Sequence, residues 1–300
     1  MAPYKSADRS AGLDPEADCV EIYRALATLE FPWDLNQSLS LALFRTYAVP
    51  SIGRLLAETG QFTTACQKRY DDTALLLEAP VTHGFDSPEG RAGIRRINQM
   101  HAMYDIADDD LRYVLATFVV VPKRWLDDYG WRPLSDGELT ASVHYYRALG
   151  ARMAIKDVPH TYEAFADLMD AYEREHFAHD EGARRVADAT LELMVSFYPR
   201  VAARGVRLFS RALLDDPLLA SFAYPAPSPL VRRAAHGALR ARARVVGLLP
   251  PRRAPRHALD SPRIRSYAEQ PDLAAMGTFA PGCPVGPGLA RATGGPASPR

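Results

Sequence analysis

Apolar residues in this chain recur at intervals of three and four from Val20 to Leu249, and no sustained alternation of β-branched residues or tight hairpin dipeptide marks a strand. A side-chain period of 3.6 belongs to helices, each of which must bury its apolar stripe against another, so the pattern predicts an all-α fold. The punctuation agrees. Ser87, Pro88 and Glu89 supply a cap, a first-turn proline and a first-turn acid ahead of one run, Ser135 and Glu138 form a capping box ahead of another, and Thr161 and Ser228 open two more. Other helices are predicted at Val20 to Leu29, Asn36 to Tyr47, Ile52 to Glu58, Thr64 to Leu77, Ala183 to Tyr198 and Val201 to Leu214, with Pro32 at a corner. Asp108 suits the cap of an almost wholly apolar helix, Leu111 to Val121, which Pro122 should end or kink.

With 300 residues, 47% of them apolar, the chain can bury a substantial core. The 36 basic and 36 acidic residues cancel, so no global basic field favours nucleic acid. Cys19, Cys66 and Cys283 are widely spaced and odd in number, which fits neither a disulfide framework nor a cysteine zinc site and points to a reducing compartment. The first residues lack the apolar core of a signal peptide, and no later run approaches the length of a membrane span. The expectation is a cytoplasmic protein, soluble or peripherally membrane-associated. Its organisation reads as a flexible tail over 1–13, a single multi-helix globular domain over 14–250, and a disordered Pro/Gly/Arg-rich tail over 251–300. The last helix, Val231 to Leu249, carries Arg232, Arg233, Arg240, Arg242 and Arg244 round several faces; it could touch an acidic membrane surface, but the spread favours a solvated, partner-facing helix.

Two positions carry the chemical interest. Ile94, Ile97, His101 and Tyr104 share one helix face while Arg91, Arg95 and Gln99 lie on another, so His101 points where a core should be. It is either a core histidine satisfied by a carbonyl and a hydroxyl, or a ligand presenting a neutral nitrogen to a metal or haem. Cys66, Arg69, Thr73, Leu76 and Leu77 share a second face, placing an arginine and a hydroxyl in an apolar stripe. The arginine needs an anion: a carboxylate such as Asp71, Asp72 or a distant glutamate, or a bound group such as a haem propionate.

Other constellations are weaker. Glu173 and His176 have the E-x-x-H spacing of di-iron bundles, but such sites need two copies, and the pair reads as part of an exposed charged helix end. No nucleophile elbow, phosphate loop or dinucleotide fingerprint follows a predicted strand.

The successive blocks EIYRALATLEFPWD, LALFRTYAVPSI, QKRYDDTALLL, GIRRINQMHAMY, YVLATFVVVPKRW and YEREHF resemble, in order, those of the MpaB and rubber-oxygenase (latex clearing protein) family, in its MpaB-like branch. The resemblance covers roughly Val20 to Leu249 and fades towards Tyr267. It implies a helical fold enclosing a haem b, with His101 as the proximal iron ligand and Arg69 and Thr73 near the distal face. In rubber oxygenases a lysine precedes that threonine; Asp72 stands here, so distal ligation by lysine does not carry over. Arg95 and Arg96 are further candidates, for propionate contacts, from charge and position on the helix. The implied activity is oxidative cleavage of a carbon–carbon double bond in a hydrophobic, isoprenoid or terpenoid-like substrate by dioxygen, with peripheral membrane contact compatible with a substrate that partitions into lipid. Two other classes are compatible with the same residues: a haem-binding sensor or carrier, and a haem-free helical interaction protein.

Overall fold

The computed structural model describes residues 9–279, and every regular element among them is helical. α1 (Cys19–Ala25) runs into a π-helical turn at Leu26–Glu30, followed by α2 (Pro32–Tyr47), α3 (Pro50–Glu58) and the single turn α4 (Gln61–Thr64). Next come α5 (Cys66–His83), α6 (Pro88–His101), α7 (Asp108–Tyr129), α8 (Asp136–Arg152), α9 (Tyr162–His176) and α10 (Glu181–Ser196). α11 (Ala203–Ala212), α12 (Asp216–Ser221) and α13 (Pro229–Gly247) complete the helices. The described residues group into two compact units, 9–66 with 107–257 and 67–106 with 258–279.

In the first unit α7 is the central strut, with α2, α8, α9 and α13 packed on it. Tyr113, Ala116, Thr117 and Val120 on α7 are wholly buried. A second cluster joins Phe44, Tyr47 and Phe62 to Val186, Leu191 and Phe222. Pro122, expected to end or kink α7, lies inside it. An interior proline costs about 3 kcal/mol. Burial of Trp125 and Leu126 beyond it contributes roughly 1.5–3 kcal/mol each, and the Trp125 indole donates to Asp34 at 3.1 Å, so the helix runs on to Tyr129.

Other boundaries moved for local reasons. α2 starts at Pro32 rather than after Asn36, because the first turn does not use the N–H that proline lacks. Ala107 precedes α7, and Asp108 sits within its first turn beside Asp109 and Asp110, where negative charge suits the macrodipole. The Ser135–Glu138 capping box forms in full, and Thr161 and Ser228 cap their helices as expected. α12, not anticipated, is capped by Asp215, whose carboxylate accepts from Leu218 N–H at 3.0 Å. Glu173 departs most from expectation: it is buried, accepts from Arg45 Nε at 2.6 Å and from the Tyr113 hydroxyl at 3.1 Å, and is no part of an exposed charged end.

The second unit is built on α5 and α6, joined by a short turn in which Gly84 takes a positive φ of 85°. Ser87 caps α6 by accepting from Gly90 N–H at 2.9 Å. The segment beyond Pro250, read from sequence as a largely irregular tail, carries only two short 3-10 turns among its described residues, at Ala258–Asp260 and Leu273–Ala275. From Ala258 it is nonetheless fastened to the hairpin: Ala258 N–H donates to Glu78 at 2.8 Å, and Leu273 and Met276 are buried. Residues 1–8 of the N-terminal tail and 280–300 of the C-terminal tail lie outside the described residues.

Candidate functional site

α5 and α6, joined by the Gly84 turn, pass closest at Gly93. A methyl group on Gly93 would lie 2.9 Å from the Leu76 carbonyl oxygen and 3.2 Å from Ala79 Cβ, so the backbones approach where only hydrogen fits. From that crossing His101 lies roughly two turns along α6, while on α5 Thr73 lies about one turn and Arg69 about two turns back. The Arg69 charge acts on the His101 ring, so the two sequence-distant candidates lie near one another.

His101 is the last residue of α6 and is half-buried. Burial pushes its imidazolium down to about 4, with the Arg69 charge adding to the effect, so the ring is neutral at neutral pH. Among the described residues no group hydrogen-bonds either ring nitrogen, so the carbonyl and hydroxyl partners of a core histidine are not what holds it. Ile94 and Ile97 on the same face are buried.

Arg69 Nη1 donates to Thr73 Oγ1 at 2.6 Å, and that hydroxyl donates to the Arg69 carbonyl at 2.8 Å. The pair fixes the guanidinium against its own helix. The nearest carboxylates in sequence are engaged elsewhere. Asp71 accepts from Gln67 Nε2 at 2.8 Å and from the N–H groups of Arg265 and Ser266 at 3.1 and 2.8 Å. Asp72 accepts from Lys68 Nζ at 2.6 Å, the Tyr267 hydroxyl at 2.5 Å and Gly277 N–H at 3.1 Å.

Arg95 and Arg96 part company. Arg95 is exposed, on the flank with Arg91 and Gln99. Arg96 is buried; its Nε donates to the Met276 carbonyl at 2.6 Å, its Nη2 to the Thr278 carbonyl, and its guanidinium lies 4.0 Å from the centre of the Phe279 ring. The C-terminal segment also reaches the residue before His101: Gly277, with φ of 76°, lies so close to Met100 that a methyl group there would meet its sulfur at 2.2 Å.

The sequence reading did not anticipate that Asp71, Asp72 and Arg96 serve the C-terminal segment. The available signal was Tyr267, Leu273 and Met276, apolar or aromatic residues inside a stretch otherwise rich in proline and arginine. An apolar recess in the first unit, lined by Tyr23, Leu26, Phe118, Pro122 and Tyr146, contains none of the candidate residues.

The family model described as ER-bound oxygenase mpaB/B'/Rubber oxygenase, catalytic domain, matches residues 35–268. ER-bound oxygenase mpaB' of Penicillium brevicompactum is 33% identical over 226 residues, 69% of this chain and 53% of that protein. ER-bound oxygenase mpaB of Penicillium roqueforti (strain FM164) is 30% identical over 227 residues, 70% of this chain and 76% of that protein. Penicillium brevicompactum mpaB is 34% identical over 193 residues, 58% of this chain and 49% of that protein. The match thus spans about half the length of the two Penicillium brevicompactum relatives. The match reaches Tyr267, the partner of Asp72, and contains the α5–α6 hairpin entire. The chain belongs to the family of ER-bound oxygenase mpaB/B' and rubber oxygenase catalytic domains.

Proposed function

We propose that this protein is a haem b-dependent oxygenase that uses dioxygen to cleave a carbon–carbon double bond in a hydrophobic, isoprenoid or terpenoid-like substrate. The observation that carries the reading is the His101 ring, neutral, half-buried and without a hydrogen-bond partner among the described residues, on a helix packed against the one that bears Arg69 and Thr73. The donor chemistry fits the group: a neutral imidazole offers one nitrogen lone pair to iron and leaves its other N–H for an outer partner. When bound, the haem would supply the redox chemistry by which dioxygen and the alkene react.

The remaining work falls to the chain. His101 holds its lone pair available because burial keeps the proton off it well below neutral pH. Arg69 contributes a permanent positive charge and directed N–H donors for an oxygen that gains negative charge during the reaction, and Thr73 holds that guanidinium in place. Arg96 is committed to the carbonyls of Met276 and Thr278, so the propionate role argued for both arginines is left to Arg95, which forms no ion pair among the described residues. The relatives are all named as oxygenases, which supports the reaction class.

The test is the absorption spectrum of haem-reconstituted wild type beside His101→Ala, with folding checked by circular dichroism. A histidine-ligated haem spectrum in the wild type, lost in the folded variant, is expected. Equal haem binding by both proteins, or by neither, would overturn the ligand assignment; ligation without turnover of dioxygen and an alkene would leave a haem sensor or carrier.

A further inference from the structure

The large hydrophobic side chains left exposed among the described residues are Tyr198, Val201, Leu208, Leu230, Val245, Leu248 and Leu249, all within one stretch of the first unit. The same stretch concentrates positive charge. Residues 198–256 hold twelve arginines against two acidic residues, Asp215 and Asp216, in a chain whose formal net charge is zero. Both aspartates are taken: Asp215 pairs with Arg45, and Asp216 with Arg232.

The fold sorts these residues. On α13, Ala235, Leu239 and Ala243 are buried, and the opposite face presents Leu230, Ala234, Gly237, Ala241, Val245 and Leu248 to solvent. Arg232 and Arg242 turn away from that face, Arg232 to Asp216 and Arg242 to Asp34, with the Arg242 guanidinium 3.8 Å from the centre of the Trp33 ring. Arg233, Arg240 and Arg244 stay exposed and edge the apolar stripe along one side. Neither Arg233 nor Arg244 forms an ion pair among the described residues. α11, which packs beside α13, repeats the arrangement with Gly205 and Leu208 exposed together with Arg204, and Val201 is exposed in the 3-10 turn just before it.

We propose that the outward face of α13, continued by α11, docks on an anionic phospholipid surface, with Leu230, Val245 and Leu248 entering the headgroup boundary and Arg233, Arg240 and Arg244 meeting lipid phosphates. An outward face whose centre is aliphatic and small, edged by unpaired arginines and free of acid, has the form of an interfacial helix. The core of a protein interface is enriched in aromatic anchors, and none stands on the exposed face of α13. A second copy of this chain is disfavoured because the patch would oppose arginine to arginine. No helix of the described residues is long and apolar enough to cross a membrane, so the contact is with the surface. The assignment is independent of haem and of the reaction.

The test is co-sedimentation of the full chain with phosphatidylcholine vesicles and with vesicles in which about one lipid in three is phosphatidylserine. Partitioning should require phosphatidylserine and weaken as salt is raised. R233Q/R244Q should lower it about thirtyfold, and Val245→Ser with Leu248→Ser should lower it too, while circular dichroism stays unchanged because all four positions are exposed. Binding that ignores lipid charge, or that survives both double variants, overturns the proposal. So does absence of vesicle binding; if it is accompanied by self-association, or by retention of an acidic protein, that the same variants abolish, the face is a protein interface instead.

Discussion

Arg96 on α6 and the Met276 carbonyl, far apart in sequence, meet at 2.6 Å in the interior of the second unit. The guanidinium is planar and its donors are used in parallel, Nε to Met276 and Nη2 to Thr278, so one side chain pins two carbonyls of an otherwise irregular segment against the helix that ends in His101. Hydrogen bonds from a charged donor contribute about 1.5–3 kcal/mol each, and removing the donor also strands the carbonyls. Arg96→Met should therefore destabilise the protein by about 3 kcal/mol in denaturant unfolding and expose the C-terminal segment to limited proteolysis. Arg96→Lys should recover less than half of that, because an ammonium is a point charge. An unchanged midpoint for Arg96→Met would show that the clamp contributes nothing.

Asp72 is the second anchor of the C-terminal segment. Its carboxylate is buried and accepts from Tyr267, Lys68 and Gly277. Asp72→Asn should cost about 1–3 kcal/mol by leaving a donor facing donors, and Tyr267→Phe about 1 kcal/mol. The two should be coupled in a double-mutant cycle by at least about 0.5 kcal/mol. Haem absorption of the folded Asp72→Asn protein should match wild type; a changed spectrum would give Asp72 a direct part in the cofactor site.

Thr73 offers the sharpest test of the distal pair. Thr73→Val keeps the shape of the side chain and removes both the acceptor for Arg69 Nη1 and the donor to the Arg69 carbonyl. If Arg69 acts through a fixed direction, turnover should fall by about 100-fold while the haem spectrum set by His101 is retained, which is the scale of losing one oriented donor. Unaltered turnover would remove Thr73 from the reaction.

The sequence made most of this hairpin readable and little of what holds it in place. Ser87, Ile94, Ile97 and His101 could be placed on α6 because capping and a 3.6-residue period are local rules, and the same rules put Arg69 and Thr73 one turn apart on α5. Arg96 was read with Arg95 as a candidate for propionate contacts, since its actual partners lie in a stretch without periodicity and nothing local says where that stretch returns. Glu173 misled for a related reason: its neighbours Arg174 and Glu175 suggest a solvated helix end, whereas its burial is set by Arg45 and Tyr113 on other helices. Pro122 was a local signal that tertiary packing overrode.

Gly93 drew no reading from the sequence, and the structure gives it a reason. Gly93→Ala replaces hydrogen with a methyl group 2.9 Å from the Leu76 carbonyl, a rigid neighbour, so α5 and α6 must separate. On an exposed helix the change would be worth up to about 1 kcal/mol in favour of folding. Here it should instead destabilise by about 1–3 kcal/mol, as overpacking does. Because the crossing sets the level of His101 against Arg69, haem affinity should fall with it. A more stable protein with unchanged haem binding would show that the close approach is not required.

The first unit carries its own pH signature in the tyrosines that join α1 to α8. The Tyr23 and Tyr146 hydroxyls are 2.6 Å apart, and the Tyr23 ring stacks on Tyr145 at 4.2 Å. Burial pushes the Tyr23 phenol up to about 12 against the lowering effect of the Tyr146 hydroxyl, and it raises Tyr145 and Tyr146 as well. The folded state therefore keeps these protons after the unfolded chain, with phenols near 10, has released them. Stability from this source is complete below about pH 10 and is lost as pH rises towards 12, by roughly 2–3 kcal/mol for Tyr23 alone. Titration followed by tyrosinate absorbance should show the exposed phenols ionising first and the buried set ionising only with the loss of helix by circular dichroism. Tyr23→Phe should move that loss to higher pH relative to its own stability at neutral pH, because one proton fewer is released on unfolding.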